Sequence, residues 1–166
     1  MTTLIKTPGH APANALASAV ILNELWTSEG VARAKQQLME ARRKDPQAQL
    51  FPEINVDIIG EDHVREGESE RKAGHVREAQ VQIDKGIEIF KLNLLAYPDS
   101  ADAHYNLADA YLKNGQKDLA RQYAEKALAM IDSHKAPLSS WSDTEQRRAE
   151  IRSGVQDVLK ELNAAR

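Results

Sequence analysis

The chain holds no cysteine. Disulfides, thiolate chemistry and cysteine-ligated zinc are thereby excluded together, while the compartment stays open, because a cysteine-free protein folds in either redox setting. A surplus of charge is also missing: 22 Lys and Arg stand against 25 Asp and Glu, for a net charge of −3. Nucleic-acid binding calls for a clustered basic excess, so no nucleic-acid partner is expected. No apolar run approaches the roughly 20 residues of a membrane span. The stretch 15–22 is apolar, but Pro8, Gly9 and Pro12 precede it and Lys6 is its one early cation. With no cleavage site following, it is not expected to be a signal peptide. Glycine-rich phosphate loops and the G-x-S-x-G elbow are absent as well. What remains is an ordinary folded composition, 42% apolar and 28% charged over 166 residues. That is enough chain to bury a core without staples, and too apolar for a disordered chain.

Apolar residues recur at helical spacing along most of the sequence. Residues 1–12 are polar, with Pro-Gly punctuation, and are expected to be a flexible lead-in. Leu16, Ala19, Val20, Asn23 and Trp26 mark a first stripe, and Val31, Ala34, Leu38 and Ala41 a second, which Asp45-Pro46 stops. The very polar stretch 60–74 is consistent with a solvated helix face, a frayed helix or a loop. Val76, Ala79, Ile83, Ile87, Phe90, Leu94 and Tyr97 then share one face of a long helix, over 76–96, that Pro98 follows. Ser100 is a good N-cap with Asp102 in the first turn. Asn114-Gly115 breaks the helix that follows, and another runs over 117–131. Ser142 with Glu145 reads as a capping box that opens a last helix striped by Ile151, Val155, Val158 and Leu162. The pattern predicts an all-α chain of about seven helices, paired through short turns.

The segment ADAHYNLADAYLKNGQKDLARQYAEKALAMI, 101–131, resembles a tetratricopeptide repeat (TPR), whose period is roughly 34 residues. The small Ala108 beside Leu107 permits close helix approach, Tyr111 fills the space next to it, Gly115 makes the turn, and Ala120 and Ala127 let the second helix nest. Pro98-Asp99-Ser100 matches the turn between repeats. The segment departs from the family with His104 in place of Trp, Ala108 in place of Gly, and Ala124 in place of a bulky aromatic. Weaker copies cover 15–48 and 53–98, the latter with a second helix stretched by about two turns. The resemblance implies a short TPR-like solenoid: one helical domain over 13–166, with its best-matching repeat at 101–132 and a capping helix at 142–164. A narrower resemblance links SEGVARAKQQLMEARRKDPQA, FPEIN and the segment from IFKLNLLAYPDS onward to the helical tails of some bacterial serine hydrolases of the beta-lactamase-like or alpha/beta-hydrolase kind. In those proteins the catalytic residues lie upstream of the tail.

Chemistry is sparse. Ser69-Glu70-Arg71-Lys72 spells S-x-x-K, but it sits in the most polar part of the chain without an S-D-N or K-T-G partner, and reads as a chance match. The histidines His10, His63, His75, His104 and His134 form no i, i+4 pair. Glu61, Asp62 and His63 with His75 read as a wet acidic segment and not as a metal site. No catalytic residue, cofactor or metal is expected, and the chain is not expected to be an enzyme.

The resemblance does imply a protein partner, held on the concave face of the first helices. In the repeat register that face presents Asp102, Tyr105, Asp109, Leu112 and Lys113, with Leu16, Ala19, Asn23 and Trp26 at the matching positions of the first copy. Carboxylate-gripping TPR domains carry Lys, Asn and Arg there; only Asn106 fits, so that activity is not expected. A face of Trp26, Tyr105 and Leu112 beside acids suits an apolar or basic segment; the competing expectation is that these residues pack on a neighbouring helix. The expected function is a protein-interaction scaffold or adaptor. The alternatives are an accessory domain docking on a serine hydrolase through a flat apolar patch around Phe90, and a self-associating module whose last helix pairs in a homodimer. A cytoplasmic location is expected, or a periplasmic or secreted one for the tail of an exported hydrolase.

Overall fold

The computed structural model describes residues 15–133 and 144–164. Among these residues there are seven helices and no strand: α1 Ala15–Glu24, α2 Ser28–Lys44, α3 Glu53–Lys72, α4 Val76–Ala96, α5 Ala101–Lys113, α6 Lys117–Ser133 and α7 Glu145–Ala164. None is long and apolar enough to cross a membrane. The lead-in, His10, His134 and the Ser142 cap lie outside the described residues. The last helix opens instead at Thr144, whose Oγ1 accepts from the Arg147 amide at 3.2 Å. Packing divides the chain into two compact units, 1–52 and 53–166. The boundary falls at the proline-flanked stretch 46–52, where helix is interrupted.

In the first unit, α1 and α2 meet at a tight corner. Thr27 caps α2: its Oγ1 accepts from the Gly30 amide and donates to the Glu24 carbonyl, both at 3.0 Å. A Cβ on Gly30 would stand 1.9 Å from that carbonyl oxygen, so only glycine lets α2 start there. Ile21, Leu25, Ala34 and Leu38 are buried, and Arg33 pairs with Glu24 at 3.0 Å. The first stripe is shorter than its spacing suggested. The helix stops at Glu24, so Trp26 is a turn residue, 45% exposed.

In the second unit, α3 pairs with α4 and α5 with α6. The polar stretch 60–74 proves to be mostly helix. Within it Gly60, His63, Val64 and Gly67 are buried, while Glu61, Arg65 and Glu66 are exposed. This helix packs on glycine. A Cβ on Gly60 would meet the Phe90 ring at 2.5 Å. One on Gly67 would meet Ile83 Cγ1 at 2.6 Å and the Ala79 carbonyl at 2.8 Å, and one on Gly86 would meet Val64 at 2.6 Å. Phe90 is therefore buried against α3, and α4 offers no flat apolar patch around it.

Both pairs turn in the same way. Gly74 and Gly115 have φ of +88° and +75°. The amides of Gly74 and His75 donate to the carbonyls of Arg71 and Glu70; those of Gly115 and Gln116 donate to Leu112 and Tyr111. This is the Schellman arrangement, which needs a left-handed residue. The α5–α6 pair closes on Ala108, Ala120, Ala124 and Ala127, all fully buried. Tyr111 stacks on Tyr123 with centroids 5.5 Å apart. His104, standing in for the repeat's Trp, is buried with Nδ1 2.8 Å from the Ser100 carbonyl, and burial lowers its pKa. Ile151, Val155, Val158 and Leu162 of α7 join the same core. That stripe is buried within the chain and is not exposed to a second copy.

Candidate functional site

Five residues of α3 share one stripe by their 4-3-4-3 spacing: Ile54, Ile58, Glu61, Arg65 and Glu68. Beside that stripe runs α5, and between the two helices lies an open depression of about 240 Å³. It is lined by Glu61, Val64, Arg65 and Glu68 of α3, Phe90 of α4, and Tyr105, Asn106, Asp109 and Lys113 of α5. The far side of Tyr105 rests on α7, where a Cβ on Gly154 would meet the phenol ring at 2.5 Å. Burial and the nearby Asp109 carboxylate raise the Tyr105 pKa, keeping the phenol neutral.

Lys113 crosses the depression, 2.8 Å from Asp109 and 3.3 Å from Glu68. Burial opposes its charge, but the two carboxylates outweigh that and hold its pKa above the ordinary lysine value. Arg71 donates to the Lys113 carbonyl at 2.6 Å, a second tie between α3 and α5. Arg65 pairs with Asp62. Glu61 is exposed and makes no ion pair among the described residues; burial of its wall raises its pKa, although Arg147 and Arg65 pull it down.

Beneath the depression lies a buried polar junction. Asp57 Oδ1 accepts from Asn93 Nδ2 at 2.7 Å and from Asn106 Nδ2 at 2.8 Å. Asn93 Nδ2 also donates to the Glu53 carbonyl at 3.1 Å. The Ser100 hydroxyl donates to Glu53 and accepts from the Ala103 amide at 3.2 Å. Asp57 Oδ2 and Asn93 Oδ1 have no hydrogen-bond partner among the described residues. Burial, then the charges of Asp102 and Glu53, hold the Asp57 pKa well above the ordinary aspartate value. The junction joins α3, α4 and α5, and so fixes the spacing of the two helices that wall the depression.

Of the residues expected on the concave face, Tyr105, Asp109 and Lys113 line the depression together. Asp102 does not. It is 0% exposed, covered by Arg147 of α7, which donates to its carboxylate oxygens at 2.9 and 3.2 Å. Burial nonetheless leaves the Asp102 pKa raised to about 6. Leu112 packs against the apolar core and is not on the lining. Trp26 belongs to residues 1–52, and the site is built wholly from 53–166. Ser69 and Lys72 of the S-x-x-K sequence are both exposed near the end of α3. His63 Nδ1 is 2.7 Å from Gln82 and His75 Nδ1 is 2.6 Å from Glu70, so the two histidines serve different contacts.

Sequence reasoning missed the α3 wall, with Glu61, Arg65 and Glu68, and the Arg147 cover. The wall had a signal in the spacing of Ile54, Ile58, Glu61, Arg65 and Glu68; the cover had none. No curated protein matches the chain. Residues 101–134, comprising α5, α6 and the turn joining them, match the family model of the tetratricopeptide repeat.

Proposed function

We propose that this chain is an interaction scaffold or adaptor that holds a segment of another protein along the face formed by α3 and α5. Tetratricopeptide repeats generally mediate protein–protein contacts, and α5 belongs to the matched repeat. The observation that carries the reading is the depression between the two helices, where two aromatic rings, an aliphatic side chain and charged groups converge. Convergent polar groups over an apolar floor are the usual make-up of a recognition site. Tyr105, Asp109 and Lys113 are its proposed contacts. The Lys113 bridge and the Asp57 junction brace the groove before the partner arrives, which lowers the ordering cost of binding.

Phage-displayed peptides selected on the immobilised full chain test this. Enriched peptides are expected to bind the chain and to lose at least tenfold in affinity, about 1.4 kcal/mol, for Asp109→Arg, with circular dichroism unchanged. Failure to enrich any peptide, or equal binding to the variant, would contradict the proposal.

A further inference from the structure

The α3 wall changes character along its length. Ile54 and Ile58, 40% and 49% exposed, stand at its N-terminal end, and Glu61, Arg65 and Glu68 follow on the same stripe. Single exposed apolar residues are ordinary on a protein surface. Ile54 and Ile58 lie outside the lining of the depression, but they continue the α3 stripe that walls it.

All but one of the charged groups of the depression are already paired. Arg65 is held by Asp62, and Lys113 by Asp109 and Glu68. Arg147, the nearest further cation, is committed to Asp102 and Glu150. Glu61 is the one charged lining residue without an ion pair among the described residues. The lining carries the three carboxylates of Glu61, Glu68 and Asp109 against the two cations of Arg65 and Lys113. An acidic segment would meet that excess head-on, whereas a single added cation balances it.

We infer that the segment bound on this face carries a lysine or arginine that pairs with Glu61, next to an apolar side chain that covers Ile54 and Ile58. This rests on the groove reading and specifies its partner. Along α3, Glu61 lies roughly 5 Å beyond Ile58 and 10 Å beyond Ile54, at about 1.5 Å per residue. An extended strand spans that in about two or three residues, so the motif is an apolar residue and a basic residue separated by one or two positions. Its charge preference is opposite to that of a carboxylate-gripping groove.

The test is a set of amide-shift titrations of the labelled full chain with synthetic peptides. These contain Leu-Ser-Lys, Leu-Ser-Gln, Leu-Ser-Glu or Ser-Ser-Lys in one Gly-Ser context. The Leu-Ser-Lys peptide is expected to bind tightest and to shift the amides of Ile58, Glu61 and Tyr105. Its Kd should rise about three- to tenfold, the range of a partly exposed ion pair, in Glu61→Gln. Glu61→Lys should reverse the order in favour of the Leu-Ser-Glu peptide. Both substitutions are on an exposed side chain, so the fold is retained. Ile58→Gln should weaken every leucine peptide and leave Ser-Ser-Lys unaffected. Equal binding of the lysine, glutamine and glutamate peptides, sensitive to Ile58→Gln but not to Glu61, overturns the basic-residue inference and leaves the groove reading standing. Absence of binding by every peptide in the set, together with failure of the phage selection, overturns both.

Discussion

The α3–α4 pair packs through glycine and the α5–α6 pair through alanine, yet both close on the same glycine turn. In α3–α4 the backbones approach at Gly60, Gly67 and Gly86, where even a methyl group has no room. In α5–α6 the contact is made by Ala108, Ala120, Ala124 and Ala127. Glycine weakens a helix by about 1 kcal/mol relative to alanine. The α3–α4 pair offsets this with length, spanning 20 and 21 residues against 13 and 17. It also adds the buried Asn93–Asp57 hydrogen bond between its two helices. One architecture is thus reached by two chemistries, and only the alanine version carries the family's sequence pattern.

The sharpest way to break this comparison is to add a side chain at a glycine contact. Gly67→Val should cost about 3 kcal/mol, because the Ala79 carbonyl and Ile83 block even its Cβ and backbone cannot step aside. The reverse exchange on the other pair, Ala124→Gly, should cost only about 1 kcal/mol. Denaturant midpoints of the two variants measure the difference, and equal losses would mean that the pairs are packed alike.

A smaller effect is expected at the polar junction. Asn93→Ala removes donors to Asp57 and to the Glu53 carbonyl, leaving buried acceptors unsatisfied. About 2 kcal/mol should be lost, read from the same unfolding curves.

The pH dependence sharpens the comparison further. The Asp102 carboxyl titrates near 6 when folded and near 3.8 when not, and Asp57 is raised in the same direction. Between those values these two carboxyls hold more protons in the folded chain than in the unfolded one. Their contribution to stability should therefore be greatest toward the lower end of that window and fall as the pH rises through 6. For Asp102 the fall is on the order of 2 kcal/mol. Unfolding midpoints at pH 5 and pH 7.5 measure it, and Asp102→Asn should flatten the slope. The smallest effect lies in the first unit. Thr27→Ala removes the α2 cap and should cost about 1 kcal/mol, seen as faster amide exchange at Gly30.

Much of this fold was legible in the sequence. Ser100 caps α5 through the Ala103 amide, Gly115 turns the chain, and the stripe of α7 is buried as its spacing predicts. The stretch 60–74 left three readings open, because from Gly60 onward glycine, histidine and a single valine occupy the buried face of α3, so it shows no apolar periodicity and glycine reads as a breaker. Half of the site was lost with it. Tyr105, Asp109 and Lys113 followed from the repeat register, but Glu61 and Arg65 needed α3 to be recognised as the neighbouring first helix. Asp102 has the right register and the wrong environment. Arg147, which covers it, stands 45 positions away, a contact that no local pattern announces. Leu112 is half-buried, packed against the core and off the lining of the depression.

The central claim is that the α3–α5 face receives a protein segment. Hydrogen–deuterium exchange of the full chain, with and without a peptide recovered by selection, tests it most directly. The account predicts added protection confined to 54–68 and 105–113. Protection on the outer faces of α4 and α6, or confined to residues 1–52, would contradict it.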